Sequence, residues 1–201
     1  MSILRSHKGP ISLRDIFKLM PEHAEAVVRY YESVMRGPSP LSAGEREFIY
    51  SYCSALNLCH FAHTSHKAAA VALGIDAKAF DHLSGDLADA PISKKLKPIV
   101  RFARKLTLAP GLIEPSDADA IYAAGWAEKA IADTILVVSL TAWINRILNG
   151  FCAWSPDDQH RANGERLAKH GYLPVAREVA ISLESGKAGR TRRPNARTKK
   201  R

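Results

Sequence analysis

The chain of 201 residues lacks the segments that direct a protein into or across a membrane. Its opening, MSILRSHKGP, has no apolar core of the signal-peptide type and leads directly into charge and proline. The longest apolar stretch, residues 130–151, is interrupted by Asp133, Asn145 and Arg146, so an uninterrupted bilayer span is absent. We therefore expect a soluble protein of the cytoplasm, with no membrane partner.

Cysteine is scarce, with three residues in the whole chain. Without a secretory signal, the odd set of Cys53, Cys59 and Cys152 indicates reduced thiols rather than a disulfide scaffold. Cysteine is among the residue types that are most often buried, and neither Cys53 nor Cys152 has histidine neighbours. Both are therefore predicted to lie in the core.

Acidic residues are absent after Glu184, so most of the formal net charge of +9 lies in the C-terminal segment. Eight of the 29 basic side chains lie between Lys187 and Arg201, so the remainder of the chain is close to neutral. We expect residues 1–184 to form one domain and residues 185–201 a disordered basic tail, because the tail has no large apolar residue to bury. Such a tail either makes weak, salt-sensitive contact with nucleic acid or only solubilises the protein.

No stretch has the alternating pattern of a β-strand, whereas apolar residues recur with helical spacing along the chain, which predicts an all-α fold. Ser42 and Glu45 form a capping-box pattern, and Gly74 and Gly125 are placed to end helices. A nearly all-apolar helix is expected in the middle of a bundle or in a subunit interface. The predicted helices are 22–36, 43–56, 59–73, one after Asp76, 94–108, 116–124 capped by Ser116, 127–149, 159–170 and 174–183.

The segment CHFAHTSH, residues 59–66, places a thiol beside three histidines. At about 100° per residue, Cys59, His63 and His66 lie at about 0°, 40° and −20° around a helix, so they share one face. Cys59 also follows a predicted break at residues 57 and 58, so its sulfur stands at a helix start, where backbone amides favour a thiolate. This combination predicts a reactive cysteine.

The preceding helix carries a polar strip at helical spacing, formed by Glu47, Tyr50, Ser51 and Ser54. If the two helices fold back on each other, this strip meets the face of Cys59. Glu47 then becomes a candidate partner for the histidines in proton transfer.

The stretch EREFIYSYCSALNLCHFAHTSHKAAAVALGID resembles the alkylhydroperoxidase D-like (AhpD-like) members of the carboxymuconolactone decarboxylase superfamily, in the peroxidase-related branch. The downstream segment ARKLTLAPGLIEPSDADAIYAAGWAEKAIADTILVVSLTAWINRILNG is similar to the second conserved block of that family. Together the two blocks extend from about Phe17 to Gly150. The resemblance implies orthogonally packed helices that assemble as a homotrimer or a hexamer.

The resemblance also implies a catalytic set. The family pattern has a CxxC pair at a helix start, a glutamate twelve residues before it and a histidine seven residues after its first cysteine. These positions correspond to Cys59, Glu47 and His66, and His63 matches a histidine that is frequent in this branch. Ala62 stands where the family has its second cysteine, which is the thiol that attacks the peroxide.

Three functions remain open at this point. The first is thiol-dependent reduction of a small hydroperoxide, an antioxidant oxidoreductase activity in which Cys59 acts alone and an external thiol is the reductant. The second is acid–base chemistry on a small oxo-acid or lactone, as in the decarboxylase branch. The third is a non-catalytic oligomeric binding module or a metal site formed by Cys59, His63, His66 and Glu47. Apart from this alternative metal, no cofactor is expected.

Overall fold

The computed structural model describes residues 3–82 and 89–174, which contain eight α-helices and three short 3₁₀ segments. An isolated bridge between Ile11 and Ala153 is the only β-type pairing in these ranges, so the all-α prediction is confirmed. The α-helices are α1 Leu13–Leu19, α2 Pro21–Arg36, α3 Ala43–Leu56, α4 His60–Ala72, α5 Leu96–Leu108, α6 Asp119–Ala123, α7 Glu128–Gly150 and α8 Asp157–His170. The 3₁₀ segments are Ala77–His82, Pro110–Leu112 and Pro115–Ala118.

Helix α3 is the central element of the fold. All seven of its residues from Phe48 to Ser54 are buried, because α3 packs against α4, α5 and α7. The chain reverses between α3 and α4 at Leu58, which has a left-handed φ of 54° and is exposed. This short reversal brings the polar strip of α3 against α4, so the condition under which Glu47 can meet the histidines is fulfilled.

Local sequence signals set several helix boundaries correctly. The Ser42 hydroxyl accepts a hydrogen bond from the Glu45 backbone N–H, and the Glu45 carboxylate accepts one from the Ser42 N–H, so the capping box before α3 is confirmed. Gly74 and Gly125 have φ values of 95° and 81° directly after α4 and α6. Glycine adopts this left-handed conformation without steric cost, which is why both helices end there.

Two helix starts differ from the prediction by more than two residues. Helix α1 was not predicted, although Ser12 and Asp15 form a capping box at its start. Ser116 does not cap a helix; it lies inside a 3₁₀ turn whose first N–H, that of Glu114, donates to the Asp117 carboxylate. The Asp117 side chain reaches this donor because it lies three residues further on.

Helix α7 has 23 residues and crosses the bundle beside α3. Among the described residues it is the one helix whose length and composition would suffice for a bilayer, and half of its most apolar window is buried inside the fold. Asp133 is buried on this helix and accepts hydrogen bonds from Ser39 and Lys129. A core helix of a bundle has this composition as well, so the finding by itself does not indicate a membrane.

The prediction that Cys152 lies in the core is wrong. Cys152 follows α7 in a left-handed conformation with φ of 52° and is exposed, whereas Cys53 is buried on α3 as predicted. The sequence pattern of α7 ends at Gly150, so its periodicity does not determine the direction of a side chain beyond the helix. The helix predicted for 174–183 and the basic tail lie outside the described residues, apart from Pro174.

Helix α8 packs against α4 at very close range. A Cβ atom added to Gly164 would lie 2.4 Å from the carbonyl oxygen of Ser65 and 2.5 Å from Cβ of Ala68. Only glycine permits this approach of two helix backbones. The contact places the residues of α8 that flank Gly164 over the face of α4 that carries Ser65 and His66.

Candidate active site

Glu47 is a fully buried carboxylate that α3 projects between α2 and α4. Its Oε2 atom lies 2.5 Å from Nδ1 of His66, and its Oε1 atom accepts hydrogen bonds from Nη2 of Arg36 at 2.6 Å and from the Tyr172 hydroxyl at 2.8 Å. Both carboxylate oxygens are therefore engaged. A carboxylate without water is stable in a protein only when it is paired and hydrogen-bonded in this way.

These partners determine the ionisation of the site. Burial by itself would raise the pKa of Glu47, but the charges and hydrogen bonds of His66 and Arg36 outweigh it and hold that pKa below the usual value. Burial raises the pKa of Tyr172 well above that of an ordinary tyrosine. At neutral pH the pair therefore consists of an ionised carboxylate and a protonated phenol that donates to it.

His66 lies between Glu47 and a cavity: it is hydrogen-bonded to the carboxylate and lines the cavity wall. Since the Glu47 carboxylate can only accept, Nδ1 of His66 is the donor in their contact, so Nε2 is the nitrogen that gains or loses a proton when the ring changes its charge. The ring stacks on Tyr50 with 3.6 Å between centroids, which fixes its plane. No described residue forms a hydrogen bond with Nε2, so this atom is available for proton transfer.

The cavity beside His66 measures about 490 Å³, room for a small organic molecule. Helices α1, α2, α3, α4, α7 and α8 all contribute to its wall, and no acidic residue lines it among the described residues. Apolar side chains provide most of the surface. The polar side chains of the wall are those of Ser12, Arg14, Tyr31, Tyr50, Ser65, His66, Ser155, Gln159, Asn163, Arg166 and Tyr172.

Cys59 is located as predicted, at the N-cap of α4, but its environment is not the predicted one. The residue is fully buried, and burial raises the pKa of its thiol, with only partial opposition from the Ala62 backbone N–H. Cys59 also does not line the cavity, whereas Ala62 does. The expectation of a thiolate is therefore wrong for this conformation, because desolvation outweighs the effect of the helix start.

The His63 ring is hydrogen-bonded to Ser51 of α3. Its Nδ1 lies 3.0 Å from the Ser51 hydroxyl and 3.1 Å from the Ser51 carbonyl oxygen, and burial lowers its pKa. Among the described residues, no three histidine, cysteine, aspartate or glutamate side chains are arranged to hold a metal ion. The alternative metal set of Cys59, His63, His66 and Glu47 is therefore not assembled, because His63 is hydrogen-bonded to Ser51 and both Glu47 oxygens already accept hydrogen bonds.

Three residues of the site were missed by the sequence analysis. Arg36 binds Glu47 from the end of α2, Tyr172 does so from beyond α8, and the Tyr31 hydroxyl lies 2.9 Å from that of Tyr50. Tyr172 is 125 positions from Glu47 in the chain. Helical periodicity reports only neighbours within a helix, so no local signal could have identified these partners.

The all-α fold is similar to that of solved AhpD-like, peroxidase-related proteins. The structure is similar to the crystal structure of an uncharacterized peroxidase-related protein from Silicibacter sp. TM1040, with 26% identity and a TM-score of 0.67. That match covers 74% of this chain and 78% of the other. This neighbour supports the AhpD-like, peroxidase-related family that the sequence resembles.

Two further solved structures share the fold at lower identity. One is the alkylhydroperoxidase AhpD core of an uncharacterized peroxidase-related protein from Ralstonia eutropha JMP134, at 22% identity and a TM-score of 0.67, covering 74% of this chain and 78% of that one. The other is a protein of unknown function from Agrobacterium tumefaciens, at 17% identity and a TM-score of 0.64, covering 74% and 99%. No family model and no curated protein matches the chain.

Proposed function

We propose that this AhpD-like protein is an enzyme that moves a proton on a small organic substrate, with His66 as the catalytic base and Glu47 as its buried partner. The observation that carries this proposal is the 2.5 Å contact between the Glu47 carboxylate and Nδ1 of the cavity-lining His66. Nε2 takes the proton, and the Glu47 charge stabilises the resulting imidazolium. The substrate class that suits this chemistry is a small 2-oxo acid or lactone with an acidic C–H bond.

Solvent deuterium exchange tests this proposal. The protein is incubated in D₂O with 2-oxo acids and lactones of about four to six carbons, and loss of the α-proton is followed by NMR. We expect exchange of at least one compound to be faster with the protein, and His66→Gln or Glu47→Gln to reduce that rate by about 10²-fold or more. His60→Gln is the control, since the His60 side chain is 68% exposed and lies outside the site. No protein-dependent exchange with any compound would contradict the proposal.

Thiol-dependent reduction of a hydroperoxide is the second candidate, supported by the peroxidase-related neighbours and by the position of Cys59 at the start of α4. In this antioxidant reaction the Cys59 sulfur attacks the peroxide, an alcohol leaves, and an external thiol reduces the sulfenic acid. Because Cys59 is buried, the turn between α3 and α4 would have to open before a peroxide could reach its sulfur.

The substitution Ala62→Cys separates the two candidates. It places a second thiol on the cavity wall, where Glu47 and His66 can move its proton. We expect the unmodified protein to consume cumene hydroperoxide with dithiothreitol no faster than a Cys59→Ala variant, and the Ala62→Cys variant to be clearly faster. If the unmodified protein turns over peroxide and Cys59→Ala loses this activity, thiol-dependent peroxide reduction is the correct function.

A homotrimer or hexamer is also proposed, and α7 supports it. Ile135, Leu136 and Trp143 leave about 40% of their surface exposed on this helix. Exposed apolar residues at helical spacing favour contact with another helix. Sedimentation velocity of the full chain tests this proposal, and a monomer at micromolar concentration would contradict it.

A further inference from the structure

A second set of reactive side chains faces the same cavity, and the chemistry of Glu47 and His66 does not use it. The Ser65 hydroxyl lies 3.0 Å from Nδ1 of His160. The Ser155 hydroxyl lies 3.1 Å from Nε2 of the same ring and 3.4 Å from its Nδ1. Ser65 and Ser155 both line the cavity. His160 is buried behind them and is only 1% exposed.

We propose that Ser65 is a nucleophile that His160 activates, and that the protein thereby accepts acyl groups from small esters. A serine within hydrogen-bond reach of an imidazole, which is itself oriented by a third group, is the arrangement that nucleophilic catalysis requires. Here Ser155 is the third group. This inference does not depend on the proposed function of His66.

The packing of α8 on α4 holds these groups together. Gly164 allows the α8 backbone to approach the Ser65 carbonyl, and His160 lies one turn before Gly164 on the same helix. The Phe61 ring meets the His160 ring edge-on with 4.6 Å between centroids. The imidazole is therefore fixed between two helices, so its orientation toward Ser65 costs little entropy during reaction.

The ionisation of His160 suits a base. Burial lowers the pKa of His160, and the nearby His60 lowers it further, so the ring is neutral at neutral pH. A neutral imidazole has one donor and one acceptor nitrogen. When Nε2–H donates to the Ser155 oxygen, Nδ1 accepts the Ser65 proton, which is the tautomer that activates Ser65.

Amide donors are present for the oxygen that becomes negative during acyl transfer. Gln159 and Asn163 line the cavity from α8, on either side of His160 in the sequence. Their side-chain amides form no hydrogen bond with the described residues. Asparagine and glutamine amides can stabilise the oxyanion of a tetrahedral intermediate.

The proposed reaction has two steps. The Ser65 oxygen bonds to the acyl carbon, its proton passes to Nδ1 of His160, and the leaving alcohol takes that proton as the ester bond breaks. Water then attacks the acyl-serine, gives its proton to His160, and releases the carboxylic acid as the Ser65 oxygen is protonated again. The cavity of about 490 Å³ restricts the substrate to small esters.

Covalent labelling tests the nucleophile without a variant. The full chain is treated with a fluorophosphonate and digested with trypsin, which releases residues 47–67 as one peptide containing Ser51, Ser54 and Ser65. We expect the label on Ser65 alone. Ser51 is the internal control, because it also lies 3.0 Å from a histidine nitrogen but does not line the cavity. A label on Ser51, Ser54 or Ser155, or no label at all, would overturn the proposal.

Hydrolysis of p-nitrophenyl acetate tests the activity. We expect Ser65→Ala and His160→Gln each to reduce the protein-dependent rate by about 10²-fold or more, whereas Ser51→Ala retains it. Equal rates for the unmodified protein and Ser65→Ala would overturn the proposal. Because deuterium exchange is measured separately and requires His66, failure of either assay leaves the outcome of the other unaffected.

Discussion

His63 and His66 lie one turn apart on α4, yet they differ in their hydrogen-bond partners and in their access to the cavity. His66 has a buried carboxylate on Nδ1 and presents its other edge to a cavity, whereas His63 has the hydroxyl and carbonyl of Ser51 on Nδ1 and does not line that cavity. Both belong to the same predicted face of the helix. The comparison shows that the partner contributed by α3, rather than the position on α4, determines which histidine can do acid–base work.

The largest expected effect comes from removing the carboxylate that distinguishes His66. Glu47→Ala leaves the Arg36 guanidinium without its ion-pair partner, and breaking a buried pair in this way costs about 3 to 5 kcal/mol. Urea unfolding followed by circular dichroism measures this loss. Ser51→Ala removes the hydroxyl partner of His63 but keeps the backbone carbonyl, and it should cost only about 1 kcal/mol. Equal losses in the two variants would mean that Glu47 and Ser51 play the same structural role.

The second prediction concerns the contact between α4 and α8 at Ser65, which Gly164→Ala should disturb without changing the contact of His63 with α3. Gly164→Ala adds a Cβ that would meet the Ser65 carbonyl oxygen at 2.4 Å, so the helices must move apart at a cost of about 1 to 3 kcal/mol. Thermal unfolding measures the change. Gly150→Ala is the control, because no described residue lies within 4 Å of its added Cβ. A Gly164→Ala protein as stable as the parent would show that α4 and α8 are less closely packed than described.

The third prediction concerns the contribution of His63 to the pH dependence of the free energy of unfolding. Burial lowers the pKa of His63 below 6.5, so the unfolded chain binds its proton first as the pH falls. Stability is therefore complete above about pH 6.5 and is lost as the pH decreases through the folded pKa, by at most about 1.4 kcal/mol per pH unit for one proton. His63→Gln should flatten this slope in urea unfolding at pH 7.0, 6.0 and 5.0. If His63→Gln leaves the slope unchanged, the pH dependence of stability comes from other groups, such as His160.

The smallest effect concerns the thiols and involves no change in stability. Cys152 is exposed, whereas burial raises the pKa of Cys59 and raises that of Cys53 to about 12. Iodoacetamide at pH 7.5 should therefore modify Cys152 first, with Cys59 and Cys53 protected until the protein is denatured. Mass spectrometry of tryptic peptides measures the order. Modification of Cys59 before Cys152 would show that the start of α4 opens in solution and would favour the peroxidase function.

The sequence alone determined the all-α class, the capping box at Ser42 and the break at residues 57 and 58. These follow from interactions over three to seven residues, which periodicity and capping patterns record. The candidate pair Glu47 and His66, 19 positions apart, came from the resemblance of the sequence to a known family. Only the tertiary structure decided that Cys59 is sealed from the cavity while Ala62 faces it, that Tyr172 and Arg36 bind Glu47, and that His160 meets Ser65. Desolvation and contacts between distant segments depend on how whole helices pack, and spacing along one helix carries no information about them.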